Sequence, residues 1–414
     1  MEFLVLDENL NTSSVLDSYE SILWTERYNK CGDFEICESM TDTILKELRQ
    51  DYYIWTRDSK QTMIIEDIHI TSDAEDGNNV IIVGRSLESI LERRIIWNQT
   101  ILTGNFQAAI KKLLDENIIS PTDSNRKISN FIFKESTDPE ITKLTLDTQY
   151  TGDNLYEVIC DLCAAKNIGF SVSLNDDREF VFELYAGANR SYDQIENPYV
   201  VFSPKFENII NSNYIESKKM LKTVTLVAGE GEGSARKTVT VELTTGGGNG
   251  LTRRELYTDA RDISTTTESG TLSDKEYQAQ LSQRGEEKLA ENTITRSFEG
   301  EMDSDKIFVY GEDFFMGDIV QIVNEFGVEA KARVVEMIRS QDESGIESCP
   351  TFETVPDSSQ LIGEMYIPER NSQVDYNDLD NIPSINQVEL IGDKSFDELG
   401  LEEASNTEIL NLFK

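Results

Sequence analysis

The stretch from Lys306 to Val355, KIFVYGEDFFMGDIVQIVNEFGVEAKARVVEMIRSQDESGIESCPTFETV, decides how the folded body of this chain closes. Two apolar runs, Asp318-Ile-Val-Gln-Ile-Val and Ala332-Arg-Val-Val-Glu-Met-Ile, flank Asn324-Glu-Phe-Gly327. Asn324 and Gly327 tolerate the positive φ angles that a short hairpin turn demands. Gly317-Asp318 before the first run and Asp342-Glu-Ser-Gly345 after the second are further turn signals. A last strand from about Ser348 to Val355 completes a small antiparallel barrel or sheet. Beyond Val355 no core pattern is read, so this unit is expected to end the folded body.

Working outward, 414 residues allow several domains. Apolar residues at 38% and aromatics at 9% suffice for packed cores and exclude a disordered chain. No apolar run approaches the roughly 18 residues of a membrane helix. The start, Met1-Glu-Phe-Leu-Val-Leu-Asp, is acidic and strand-like, which argues against a signal peptide. Charge is the extreme feature: 77 acidic against 38 basic residues, net −39. Such a surface repels phosphate and argues against specific nucleic-acid binding. Solubility accounts for it most simply. The sharper alternative is a surface past which DNA must move without sticking.

Five cysteines, Cys31, Cys37, Cys160, Cys163 and Cys349, cannot all pair and read as reduced cytosolic thiols. Cys160 and Cys163 have metal-like spacing, but they lie in a helical pattern and no second pair or histidine cluster completes a site. They read as core packing, and neither metal nor cofactor is expected. The single histidine, His69, removes HExxH zinc hydrolases and nearly every Ser-His or Cys-His arrangement that needs a histidine plus partners. It alternates with Ile68 and Ile70 in a strand and is expected to point outward. Carboxylate-pair chemistry survives this filter, yet 77 acids make any particular pair unidentifiable, so no catalytic residue is assigned.

Residues 1–97 read as mostly strand, at 3–6, 21–28, 33–37, 52–55, 62–70 and 79–84. A short helical turn falls at 43–48, and a helix is expected over 86–96 with Ser86 as its cap. Residues 98–190 mix α and β: a helix at 105–114, a strand at 141–146, a second helix from 151 to about 169, and a hairpin around Asn175-Asp-Asp. Residues 191–300 form another such insert, with strands at 206–215, 222–228 and 238–243. Between the last two lies Gly229-Glu-Gly-Glu-Gly-Ser-Ala-Arg-Lys237. A phosphate loop would run into a helix, whereas here a strand follows, two glutamates intrude and GxxxxGK is absent. The loop reads as a mobile hairpin tip. Residues 273–292 form a long helix, Ser273 and Glu276 standing in capping-box positions, and a strand at 294–301 follows. From Pro356 the chain is acidic and turn-rich and cannot bury a core alone. It is either a loose tail or a docking peptide.

Several stretches, in this order over residues 1–355, resemble siphophage tail-hub proteins of the tail-associated, Tal-like type. They are Leu4-Val-Leu-Asp, Asp17-Ser-Tyr-Glu-Ser-Ile-Leu-Trp-Thr-Glu-Arg-Tyr-Asn-Lys-Cys-Gly-Asp-Phe-Glu, Ala228-Gly-Glu-Gly-Glu-Gly-Ser-Ala-Arg-Lys and Met316-Gly-Asp-Ile-Val-Gln-Ile-Val-Asn. Leu379-Asp-Asn-Ile-Pro-Ser-Ile-Asn-Gln-Val-Glu-Leu-Ile-Gly-Asp-Lys-Ser-Phe-Asp-Glu-Leu-Gly-Leu is similar to a peptide at the ends of phage tail-tip proteins, where a glycine usually stands in place of Gln387.

The resemblance implies a multidomain, β-rich α+β fold. Two small β-barrel tube-type domains, 1–97 and 301–355, would stand side by side. Two α+β inserts, 98–190 and 191–300, would buttress them, and an extended tail, 356–414, would follow. Three subunits would set six barrels in a ring matching the tail tube. Implied partners are two further copies, a distal tail ring, the tail tube or tape-measure protein, and a receptor-binding protein or fibre held by the tail. DNA would pass without specific binding, and no membrane anchor is implied. The location would be the distal end of the virion's tail, after synthesis in the host cytoplasm. The long C-terminal extension of larger relatives is lacking, which would leave wall digestion and receptor binding to other proteins. Channel-lining candidates are Glu312, Asp313, Glu325 and Glu329. Docking-peptide candidates are Leu379, Ile382, Pro383, Ile385, Val388, Leu390 and Leu399. The competing readings are a carboxylate-based cell-wall glycan hydrolase and a receptor-binding tail protein.

Overall fold

Alternating burial builds the first strands: β1 (Phe3–Leu6), β2 (Thr12–Leu16), β3 (Ser21–Arg27), β4 (Asp33–Ser39), β5 (Tyr53–Trp55), β6 (Thr62–Asp73) and β7 (Gly77–Ser86). The computed structural model describes residues 1–41, 44–73, 77–243, 246–267, 270–301, 308–323 and 329–355, with 384, 385, 388, 389, 395 and 398–400. It forms two units, Met1–Gly363 and Glu364–Lys414. In the first unit Ile22 and Trp24 of β3, Phe34 and Ile36 of β4, and Val80 and Ile82 of β7 face one core. Phe3 stacks on Trp24 there at 5.6 Å. The short helix α1 (Ile44–Glu47) adds Ile44 to this core. His69 is exposed on β6, as its alternation predicts. Strand β2 carries no local signal, because Thr12-Ser-Ser-Val-Leu is mostly exposed and is ordered by pairing with β1. The helix expected at 86–96 is a tighter 3₁₀ helix, Leu87–Arg93, and Ser86 does not cap it. The Ser86 hydroxyl instead accepts from the Gly32 N–H at 2.7 Å, tying β7 to the turn before β4.

The next region contains β8 (Thr100–Asn105), α2 (Phe106–Leu114), β9 (Phe131–Lys134), α3 (Pro139–Thr142), β10 (Thr145–Tyr150), α4 (Leu155–Ala165), β11 (Gly169–Leu174) and β12 (Phe180–Tyr185). Asn105 and Asn154 cap α2 and α4 by accepting backbone N–H bonds. Where a strand is expected from 141, Asp138 caps the single turn α3 with Pro139 at its start, and the strand begins at Thr145. Cys160 and Cys163 are buried in α4, and burial pushes the Cys160 thiol up to about 12.

Further on come β13 (Val201–Phe202), β14 (Ile210–Ser217), β15 (Val224–Ala228), β16 (Thr238–Glu242), β17 (Glu255–Asp259), β18 (Thr266–Thr267), β19 (Gly270–Thr271), α5 (Asp274–Ala290) and β20 (Thr295–Glu301). The glycine-rich stretch joins β15 to antiparallel β16 as a hairpin. Ser273 and Glu276 form the capping box of α5. Helix α5 packs closely on this small sheet at Gly285, where a Cβ would come within 2.6 Å of Val241.

The last strands are β21 (Ile319–Val323), β22 (Glu329–Asp342) and β23 (Gly345–Thr354). Strand β22 pairs with β23 across the Asp342–Gly345 turn and, on its other side, with β3 from Glu336↔Arg27 to Gln341↔Ile22. The strands at the two ends of the unit therefore share one ladder, ordered β14-β20-β23-β22-β3-β4-β7-β6-β5-β1-β2. Its halves cover different cores: the first centres on Trp24 and Phe34, the second on Phe202, Phe314 and Phe352. Strands β13 and β14, from within the 191–300 span, and β20, which crosses its end, complete the second half.

Tyr28, just past β3, ties three regions together. Its N–H donates to Val335 O, and its hydroxyl donates to Asn167 O at 2.9 Å. Its carbonyl accepts from Phe170 N and the Tyr185 hydroxyl, and the Arg333 guanidinium lies 5.1 Å from its ring.

In the second unit, β24 (Ser384–Ile385) pairs with β25 (Val388–Glu389), making Ile385 and Val388 register partners. Leu399 is buried. Leu379, Ile382, Pro383 and Leu390, like Glu325 and the Asn324–Gly327 turn, lie outside the described residues.

Tyr28→Phe is expected to cost about 1 kcal/mol through the lost hydroxyl bond. Tyr28→Ala should cost about 4 kcal/mol through the cavity it leaves. Thermal unfolding checks both, and an alanine variant as stable as the phenylalanine variant would remove Tyr28 from this role.

Candidate assembly surface

The β3–β22 seam carries charge on both faces. On the inner face Glu26 follows Ile22 and Trp24, and its carboxylate accepts from Arg339 at 2.6 Å, from the Ser59 hydroxyl at 2.6 Å and from the Tyr310 hydroxyl at 2.8 Å. Both ends of this ion pair are nearly out of water, at 12% and 8% side-chain exposure. On the outer face Arg27 donates to Glu336 at 2.6 Å and to Asp33 at 2.5 Å. The Met1 ammonium and the Tyr19 hydroxyl both donate to Gln341 Oε1 at the seam's end.

Pleating places the remaining outer side chains in cross-strand rows. One row runs Ser340, Leu23, Glu35, Val83, Asp67 across β22, β3, β4, β7 and β6. The next runs Ile338, Thr25, Asp33, Arg85. Arg85 is already held by Glu66 and Glu92, each at 2.7 Å, and those carboxylates raise its pKa further. Glu35 and Asp67 are exposed and meet no cation among the described residues. The result is a broad, shallow face with an apolar strip, two saturated arginines and uncompensated carboxylates. Gly84 permits the β6 bulge beside it, since a Cβ there would sit 1.8 Å from Ile64 O.

The candidates drawn from the sequence lie elsewhere. Glu312 and Asp313 are exposed in the turn after Tyr310, where Asp313 accepts from the Val309 N–H at 2.7 Å. Glu329 is exposed at the start of β22, in the part that pairs with β21. No hydrogen bond or ion pair among the described residues joins these three. Glu35 and Asp67 were missed, although acids at alternate positions of Asp33-Phe-Glu-Ile are a readable sign of a wet strand face.

Behind the seam, a cavity of about 370 Å³ is lined by Glu26, Lys60, Tyr185, Arg190, Phe315 and Asp318, among others. Arg190 donates to Asp318 at 2.6 Å, and the Lys60 ammonium lies 5.6 Å from the Phe315 ring. Nearby, Glu88 is fully buried, and its carboxylate accepts from the Val172 N–H at 2.9 Å. Burial pushes this carboxyl up to about 7.

The fold is similar to that of the 43 kDa tail protein of prophage MuSo2 from Shewanella oneidensis. That match has TM-score 0.53 and 11% identity, covering 85% of this chain and 98% of that one. The prophage tail protein gp18 from Listeria monocytogenes EGD-e matches at TM-score 0.47 and 15% identity, over 87% and 96%. The tail protein from Neisseria meningitidis MC58 matches at 0.48 and 12%, over 85% and 96%. No curated protein matches the sequence. This β-rich chain shares the fold of the MuSo2 prophage tail protein. The model of the Siphovirus ReqiPepy6 Gp37-like protein family matches residues 2–352, and the chain belongs to that family.

The Glu88 carboxyl makes stability fall with pH. Its folded value lies above the ordinary 4.5, so the folded state binds more protons than the unfolded chain between 4.5 and 7. The stability it contributes is complete below pH 4.5 and is lost as pH rises through about 7, amounting to about 3 kcal/mol. Glu88→Gln should remove that slope. Unfolding of both proteins at pH 5 and pH 8 measures it, and a stability difference that does not change with pH would overturn the assignment.

Proposed function

We propose that this protein is the hub at the distal end of a phage tail, closing the tail tube and giving DNA its exit. The observation that carries this reading is the β3–β22 ladder, which sets the N-terminal and C-terminal strands side by side on one sheet. Three copies arranged about an axis would then offer six strand sets to a six-fold tube. The carboxylate-bearing outer face, with Glu35 and Asp67 unneutralised, would repel a passing polyphosphate. Glu312, Asp313, Glu325 and Glu329 are proposed to extend that lining. The segment containing Leu379, Ile382, Pro383, Ile385, Val388, Leu390 and Leu399 is proposed to dock receptor-binding parts. The distal tail ring and the tube or tape-measure protein are the neighbours on the other side.

Light scattering with end-on electron-microscope averages tests the ring. A three-fold particle with a central opening is expected, and a monomer even when mixed with the distal tail ring would overturn the hub. The lining has its own test. Glu35→Lys with Asp67→Lys in assembled particles should slow DNA release by about tenfold at low salt and less at high salt. Release unchanged at every salt concentration would exclude this face as the channel wall.

A further inference from the structure

On this strongly acidic chain, one surface of the 98–190 region and its approach is built from arginine and tryptophan. Arg94 donates through Nε to Arg126 O and through Nη1 to Arg93 O, both at 2.9 Å. Arg126 donates through Nη2 to Ile95 O at 2.6 Å and to Asn117 Oδ1 at 3.0 Å. Neither guanidinium meets a carboxylate among the described residues, although Arg93 reaches Asp51 at 3.3 Å. Burial, and after it the charges of Arg126 and Arg93, hold the Arg94 pKa below its ordinary value. Beside them Trp97 is 64% exposed and Ile95 41%, with the Arg126 guanidinium 5.3 Å from the Trp97 ring.

The arrangement is held rigidly from beneath. Helix α2 runs on into a π-helical turn, Asp115–Ile119, a rare form that recurs at functional sites. Asn117 in that turn is buried, donates to Leu113 O, and accepts from both Arg126 and the Trp97 backbone N–H. The two guanidinium groups are thus positioned before anything binds, which lowers the ordering cost of a contact. Tryptophan and arginine are also the side chains that dominate protein–protein contacts.

The occupant follows from charge. Two copies at −39 each repel, so a contact between copies needs cations that no carboxylate has already neutralised. With 77 acids, nearly any facing surface of another copy supplies carboxylates. A long polyanion would meet a repulsion that grows with its length. We propose that Arg94, Arg126, Trp97 and Ile95 form a contact by which a second copy of this chain binds, its carboxylates on the two guanidinium groups and an apolar side chain on the indole. This rests on the reading of the protein as a self-assembling hub.

Sedimentation equilibrium of the full chain tests it. The wild type should self-associate, and Arg94→Glu with Arg126→Glu should raise the dissociation constant about a hundredfold. Trp97→Ala, which removes an exposed ring and keeps the Asn117 contacts, should raise it about tenfold. Unchanged association in all these variants would overturn the contact while leaving a three-fold ring standing on another interface. A wild type that stays monomeric at every concentration would also overturn it, whereas the hub is judged separately in the presence of the distal tail ring. Inorganic phosphate is the control probe. If it saturates a change in tryptophan fluorescence that the reversed pair lacks, and dissociates the copies no more than chloride does, the patch is an anion site and the proposal fails.

Discussion

The short ladder between β3 and β22 is the constraint on which the rest of the first unit depends. Arg27 and Glu336, paired across it, are 309 positions apart in the chain. Loop-closure entropy grows only logarithmically with length, so so distant a pairing is affordable in stability, though slow to find. The buried Glu26–Arg339 pair does little for net stability, since desolvating both groups offsets most of their attraction. Its effect is on register. A one-residue slip would carry Arg339 to the outer face and leave the buried Glu26 carboxylate without its cation. The seam is thereby held at one alignment.

Where the ladder ends, Tyr28 dictates the backbone around it. A Cβ at Gly169 would lie 2.4 Å from its ring, and one at Gly317 would lie 2.3 Å away. Gly317 also has φ +89, which a side chain would strain. Gly187 in turn sits against the Gly317 backbone at 1.9 Å from a hypothetical Cβ. Two glycines from two regions thus admit one aromatic ring and a third lets the Gly317 backbone sit close, so the first strands, the 98–190 region and the last strands converge there without a linker between them.

The electrostatics follow from the same sheet. On the outer face two arginines are each shared by two carboxylates, while Glu35 and Asp67 farther along the rows meet no cation among the described residues. The arginine–tryptophan surface near Trp97 is organised differently, its guanidinium groups resting on backbone carbonyls. The chain therefore separates a repelling face from a surface able to accept negative charge.

Local chemistry determined much of this protein from sequence alone. The capping box of α5, the β15–β16 glycine hairpin, the turn between β22 and β23, and the outward His69 are all set by residues within a few positions of one another. Strands β2, β9 and β17 left little trace, because short strands take their order from neighbours rather than from their own pattern. Glu35 and Asp67 come into one row only through cross-strand register, which no local stretch of sequence displays. Which strands meet was decided by tertiary structure. Pairing β3 with β22, and seating Tyr28 between glycines from distant segments, depends on packing free energy summed over the whole unit, and no short stretch of sequence carries that sum.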